Sequence, residues 1–204
     1  AGTTPTTAQV DIVEVTPSDA RVTIAPSTGR VTVAANTPPG TYTIDYKIAE
    51  KGNANNKSSV ARVTVVVKNK VEVTNNTSIH SGKPSVTNTP TDAGSILTNV
   101  KINGNTPAIG DVTITSTPPS PLPGAPSTTV PRINATTGKV EIPKGTPSGI
   151  YTIPYKVCDN ATPQSCVNAS AKVTVNDNDI HAVSDDYSDS SAEKSATARS
   201  EEHT

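Results

Sequence analysis

Cys158 and Cys166 are the two cysteines of the chain, and they flank Asp159 to Ser165 in the segment YKVCDNATPQSC. A pair eight positions apart across a turn between adjacent strands can close a disulfide if the Cα atoms come within about 7 Å. Closing so short a loop stabilises by about 2 to 3 kcal/mol. The competing chemistry, redox catalysis or metal binding, calls for CxxC-like proximity or additional His and Cys ligands. Neither is present, so the spacing predicts a structural disulfide and an oxidising, extracytoplasmic compartment.

A second group is acidic. Asp177, Asn178 and Asp179 in VNDNDI, followed by Asp185 and Asp186, offer the hard oxygen ligands that Ca2+ requires; the competing reading is a solvated polar linker. His80, His181 and His203 lie far apart with no carboxylate spacing that suggests a base or a zinc site, and are expected to be ordinary surface residues. No GxSxG, HExxH, P-loop or GxGxxG motif occurs, so no enzyme activity is expected. The pairs Tyr42/Tyr46 and Tyr151/Tyr155 could form a sugar-stacking platform. They share a face with Ile44/Ile48 and Ile153/Val157, however, and core packing is the expectation.

The elements that must position these residues are written twice. TGRVTVAANTPPGTYTIDYKI, Thr28 to Ile48, returns as TGKVEIPKGTPSGIYTIPYKV, Thr137 to Val157, 109 positions later. Each phrase reads as two strands of period 2 around a tight connection, Thr37-Pro38-Pro39-Gly40 or Thr146-Pro147-Ser148-Gly149. A closing strand follows, Ser59–Val65 matching Asn168–Val175 at an offset of 109 or 110, and Val10–Val15 parallels Asp111–Thr115. Where the second copy has its cysteines, the first has Ala49 and Lys57. At the junctions, Val67-Lys68-Asn69-Lys70-Val71 stands where the second copy has VNDND.

The second copy has an opening segment, Val71 to Pro107, including a strand-like Ser95–Ile102, whose counterpart would precede Ala1. Ala182–Ser188 parallels Glu72–Ser78, as if a third unit begins there, and the remainder is polar and non-periodic. The expected organisation is a partial repeat over 1–69, a complete one over 70–180, and a third start with a loosely ordered tail over 181–204. Strands every eight to twelve residues in a unit of about 110 predict an all-β chain of tandem immunoglobulin-like antiparallel β-sandwich domains. A β-solenoid would need a much shorter period.

Composition agrees. There is no Met, Phe or Trp and only five Tyr, so the core must be built from Val, Ile and a few tyrosines and will be thin. With 17 basic and 18 acidic residues and no basic cluster interleaved with aromatics, nucleic acid is not an expected partner. No apolar run approaches the ~20 residues of a membrane span, so the chain is expected not to be membrane-inserted. The lack of any Met fits a piece cut from a longer polypeptide.

The pattern T-G-x-V-x-V…T-P-x-G-x-Y-T-I-x-Y-x-[IV]-C, with its closing VARVTVVV or AKVTV, resembles the tandem repeats of the giant SprB-like mobile adhesins of gliding Bacteroidetes, over residues 8 to 188. VNDND is also similar to cadherin-like junctions. The main resemblance implies paired cysteines, export to the outer surface by a type IX route, and a role in adhesion or gliding motility. The first copy departs from it in lacking the cysteines. The expected function is a spacer and multivalent contact surface in a cell-surface adhesin, with neighbouring repeats, surface polysaccharide or other adhesin subunits as partners. Two alternatives are a glycan-binding or linker module of a secreted polysaccharide-degrading enzyme, and a filament or surface-layer subunit completed by a donated strand.

Overall fold

The computed structural model describes residues 4–6, 8–74, 77–123, 126 and 129–179. The strands in the first copy are β1 (Val10–Pro17), β2 (Val22–Ile24), β3 (Val31–Val33), β4 (Gly40–Glu50), β5 (Asn53–Lys57) and β6 (Ala61–Val67). The second copy has β7 (Val71–Val73), β8 (Thr77–Gly82), β9 (Thr91–Ser95), β10 (Val100–Ile102), β11 (Val112–Ser116), β12 (Arg132–Ile133), β13 (Lys139–Ile142), β14 (Gly149–Asp159) and β15 (Cys166–Val175). The chain is all-β, an immunoglobulin-like β-sandwich architecture, with two short 3-10 turns as its only helical elements among the described residues.

In the second copy one layer runs β11-β14-β15-β8 and the other β12-β13-β9, with β7 paired to β10. The inward period-2 residues of both layers form one core: Ile114, Tyr151, Ile153, Tyr155, Val157, Ala171 and Val173 face Ile133, Val140 and Ile142. Strand pairing is antiparallel throughout this copy except between β8 and β15, which are parallel.

The first copy repeats part of this plan. β4 pairs with β1, β5 and β6, and β2 pairs with β3. Its buried core is Val22, Ile24 and Ile44, with Ile12, Val31, Tyr42, Val63 and Val65 only partly covered. Tyr151 and Tyr155 are 3% and 4% exposed, whereas Tyr42 and Tyr46 are half-buried. Tyr42 packs against the first copy's core while still partly exposed, and Tyr46 is half-buried outside that cluster, so full burial is reached only by the second pair. The reason is the absence, among the described residues, of any strand beside β6 or β3 in the places that β8 and β9 take beside β15 and β13.

The two copies of the repeated phrase share several of their bonds. Gly29 and Gly138 have φ of 69° and 70°, a left-handed conformation that glycine adopts without a Cβ clash. Their amides donate to Ala25 and Asn134 carbonyls at 2.8 Å in both cases. Tyr42 and Tyr151 each donate a hydroxyl hydrogen bond of 2.9 Å to the carbonyl of the proline four residues back, Pro38 and Pro147. Thr37 and Thr146 bond the carbonyls of Ala34 and Pro143 at 2.7 and 2.8 Å.

Two expectations about strands are corrected. Ser95–Ile102 is not one strand. Ile96–Asn99 is a 3-10 turn whose Leu97 amide donates to the Ser95 hydroxyl, and it buries the consecutive residues Ile96 and Leu97, which a strand of period 2 cannot do. The closing strand is offset by 108 rather than 109 or 110: Ile44 faces Val63, but Ile153 faces Ala171. Matching letters aligned Val63 with Val173, two residues away, and a slip of two leaves the inward face unchanged. The first copy also carries one additional residue between Lys57 and Ala61, where β5 and β6 are separated by a break; β15 is continuous.

Candidate functional site

The cysteines lie opposite one another at the end of the β14–β15 hairpin. Their sulfurs are bonded, with Cα atoms 4.0 Å apart. In the first copy Ala49 and Lys57 occupy the same paired register. Hairpin geometry therefore brings the two positions together in both copies, and the residue types decide whether a covalent bond closes there.

The residue after Cys158, Asp159, is 1% exposed and lies at the junction with the linker Lys68-Asn69-Lys70. A buried carboxylate must have donors, and Asp159 has the Ser165 amide at 2.8 Å and the Asn69 side-chain amide at 2.7 Å. Asn69 in turn accepts from the Asn103 side chain at 2.8 Å. The Asn103 side-chain oxygen accepts from the Lys70 amide at 2.9 Å, and its backbone amide donates to the Lys70 carbonyl. Asn103 has φ 49°, a left-handed conformation that asparagine tolerates. These bonds tie the linker to the second copy beside an open cleft of about 410 Å³ bordered by Asn69, Asp111, Asp159 and Asn160. The cleft is lined by amides and carboxylates, among them Asn69 of the linker itself. The first copy's counterpart of Asp159 is Glu50, which is exposed and bonded to Asn56.

Asp159 and Asn69 escaped sequence reasoning because a lone Asp after a Cys and a lone Asn in a polar linker have no spacing that marks them. His80 is also corrected. It is 6% exposed, on β8, with Nδ1 3.0 Å from the Ala93 carbonyl and Nε2 2.9 Å from Ser78 Oγ. The carbonyl can only accept, so Nδ1 carries the proton and Nε2 accepts from the serine hydroxyl. The pair is sealed in the core and is a structural contact. His181 and His203 lie outside the described residues. Nearby, the Tyr155 hydroxyl is buried without a hydrogen-bond partner among the described residues. Burial pushes its phenol upward, and the nearby Ser78 hydroxyl offsets part of this.

Of the residues considered for calcium, Asp177, Asn178 and Asp179 leave β15 as irregular chain, and Asp179 pairs with Lys83. Asp185 and Asp186 lie outside the described residues. Among the described residues no group of three or more His, Cys, Asp or Glu could hold a metal ion. Nor is any helix there long and apolar enough to cross a membrane.

No family model matches the chain, and no curated protein does. Among solved structures, mouse cadherin-23 EC22-24 is similar at 14% identity and a TM-score of 0.39, over 83% of this chain and 52% of that one. The protocadherin gammaB4 extracellular domain is similar at 14% and 0.40, over 81% and 27%. Human protocadherin-24 EC1-2 is similar at 14% and 0.37, over 83% of each. The chain thus spans about half of the first of these and about a quarter of the second.

Proposed function

We propose that the chain is a non-catalytic segment of a repetitive cell-surface adhesin of the SprB-like kind, acting as spacer and multivalent contact surface in adhesion or gliding. One observation carries the reading: a single sandwich plan is built twice in one chain with the same turn, the same tyrosine-to-proline bond and the same inward face. Serial units of this sort project weak contacts away from a surface, and many weak contacts act together. The units are proposed to fall at residues 1–69, 70–180 and 181–204. The Cys158–Cys166 pair supports an extracellular setting. The glycan-module alternative is disfavoured because Tyr151 and Tyr155 are buried and form no stacking surface.

Stretching single chains from end to end tests the mechanical role. The second copy should rupture cooperatively and release its residues apart from the segment held between Cys158 and Cys166. Under reductant that rupture should lengthen by eight residues, roughly 25 to 30 Å. Featureless extension with no rupture would contradict the reading.

A further inference from the structure

The two sheets of the second copy present different outer faces. Across β9, β12 and β13 the charges are matched: Arg132 lies 2.9 Å from Glu141, and Lys139 lies 2.6 Å from Asp92. Across β8, β11, β14 and β15 the residues that alternate with the buried core include no acid. Lys156 and Lys172 are exposed on that face. None of the ion pairs among the described residues uses either of them.

The first copy shows the same face with its charges neutralised. Lys47, at the place of Lys156, is 2.6 Å from Glu14, which also holds Lys57, and Arg62 is 2.7 Å from Asp45. In the second copy Pro154 and Ser170 stand opposite one another where the first has Asp45 and Arg62, so both members of that pair are gone. Lys172 stands at the place of Thr64, which adds a cation. Glu14 lies in a bulge between Val13 and Thr16, whereas β11 pairs with β14 without a shift, so the Glu14 carboxylate has no counterpart.

Thr152 lies opposite Lys172, and Lys156 is further along the same strand, which separates the two ammonium-bearing positions by about 13 Å along the sheet and about 5 Å across it. The hydroxyls of Thr115, Thr152 and Thr174 have no side-chain partner among the described residues, and each can both donate and accept. Ile79, 79% exposed, flanks Lys172 on the other side and offers an apolar spot for the C–H face of a sugar ring. The tyrosines of β14 turn inward, so nucleic-acid bases have nothing to stack on. Ammonium groups set among hydroxyls match a polyhydroxylated chain that carries carboxylates. We infer that the outer face of the β11-β14-β15-β8 sheet binds an acidic, carboxylate-bearing polysaccharide, with Lys156 and Lys172 pairing carboxylates on separate sugars. The inference rests on the adhesin reading above and specifies its contact surface. Exposed ion pairs are individually weak, so such a face gains its hold through serial copies.

The test runs the full chain through native gels containing polygalacturonate, dextran or no polymer at low salt, and titrates it against immobilised polygalacturonate. We expect retardation by polygalacturonate and none by dextran, with binding lost at about 1 M salt, where charges are screened within about 3 Å. Lys156→Ala with Lys172→Ala, and Thr152→Glu alone, should each weaken binding about tenfold or more while the second copy still melts as before. Lys51→Ala with Lys144→Ala removes the same charge from exposed positions elsewhere and should leave binding unchanged. No retardation at low salt, equal retardation by dextran, an equal loss in the Lys51 and Lys144 variant, or tighter binding to duplex DNA than to polygalacturonate would each overturn the inference. A chain that ruptures on stretching as described above but ignores polygalacturonate overturns it while leaving the repeat reading in place.

Discussion

Asn69→Ala would leave the buried Asp159 carboxylate with the Ser165 amide but without its side-chain donor. The expected cost is about 1 to 3 kcal/mol in the denaturant unfolding of the second copy, with little change in the first; equal loss from both would contradict the assignment. Tyr151→Phe and Tyr42→Phe remove the same bond to proline from two environments. Each should cost about 0.5 to 1.5 kcal/mol, the larger loss at the buried Tyr151. Glu14 has a different dependence. Lys47 and Lys57, each 2.6 Å away, hold its carboxyl at about 2, below its usual 4.5. A folded value below the unfolded one gives stability that is complete above about pH 4.5 and is lost as the pH falls toward 2. Acid titration of the first copy's unfolding should show this loss, and Glu14→Gln should flatten that part of the curve.

At the scale of elements, the β14–β15 hairpin is closed by Cys158 and Cys166 and the equivalent hairpin of the first copy is not. Replacing both cysteines with serine should lower the second copy's unfolding free energy by about 2 to 3 kcal/mol. The converse is sharper: Ala49→Cys with Lys57→Cys, at positions already paired, should bond and raise the first copy by a similar amount, read as a shift that reductant reverses. The elements legible in the sequence were those whose inward face alternates strictly, such as Tyr151, Ile153, Tyr155 and Val157, and those punctuated by Thr-Gly. Elements fixed by packing were not legible. Ile96 and Leu97 are buried side by side in a 3-10 turn that propensity does not announce, and β8, which reads Thr-Ser-Ile-His-Ser-Gly, places Ser78 and His80 inward and its isoleucine outward. The burial of His80 and the role of the Asn69–Asp159 bond both depend on what lies across from them, which no local spacing records.

For the molecule as a whole, two copies of one plan differ in how fully the plan is closed. The second surrounds its core with two layers; the first covers Val22, Ile24, Ile44 and Ala49 and leaves Ile12, Val15, Val31, Tyr42, Val63 and Val65 only partly buried. Thermal unfolding should therefore show two transitions, the lower belonging to the first copy. Calcium followed by chelator should leave the transition governed by the Asn69 junction in place, since Lys68 and Lys70 flank it. Amide hydrogen exchange on the dilute 204-residue chain, at concentrations where chains are separate, measures closure residue by residue. Alternate amides of β6, those turned away from β4, should exchange orders of magnitude faster than their neighbours, while β15, paired to β14 on one side and over Ser170–Val175 to β8 on the other, should be protected at every position of Ser170–Val175. Uniform protection of β6 in the separated chain, or the same alternation in β15, would contradict one sandwich plan closed in the second copy and open in the first.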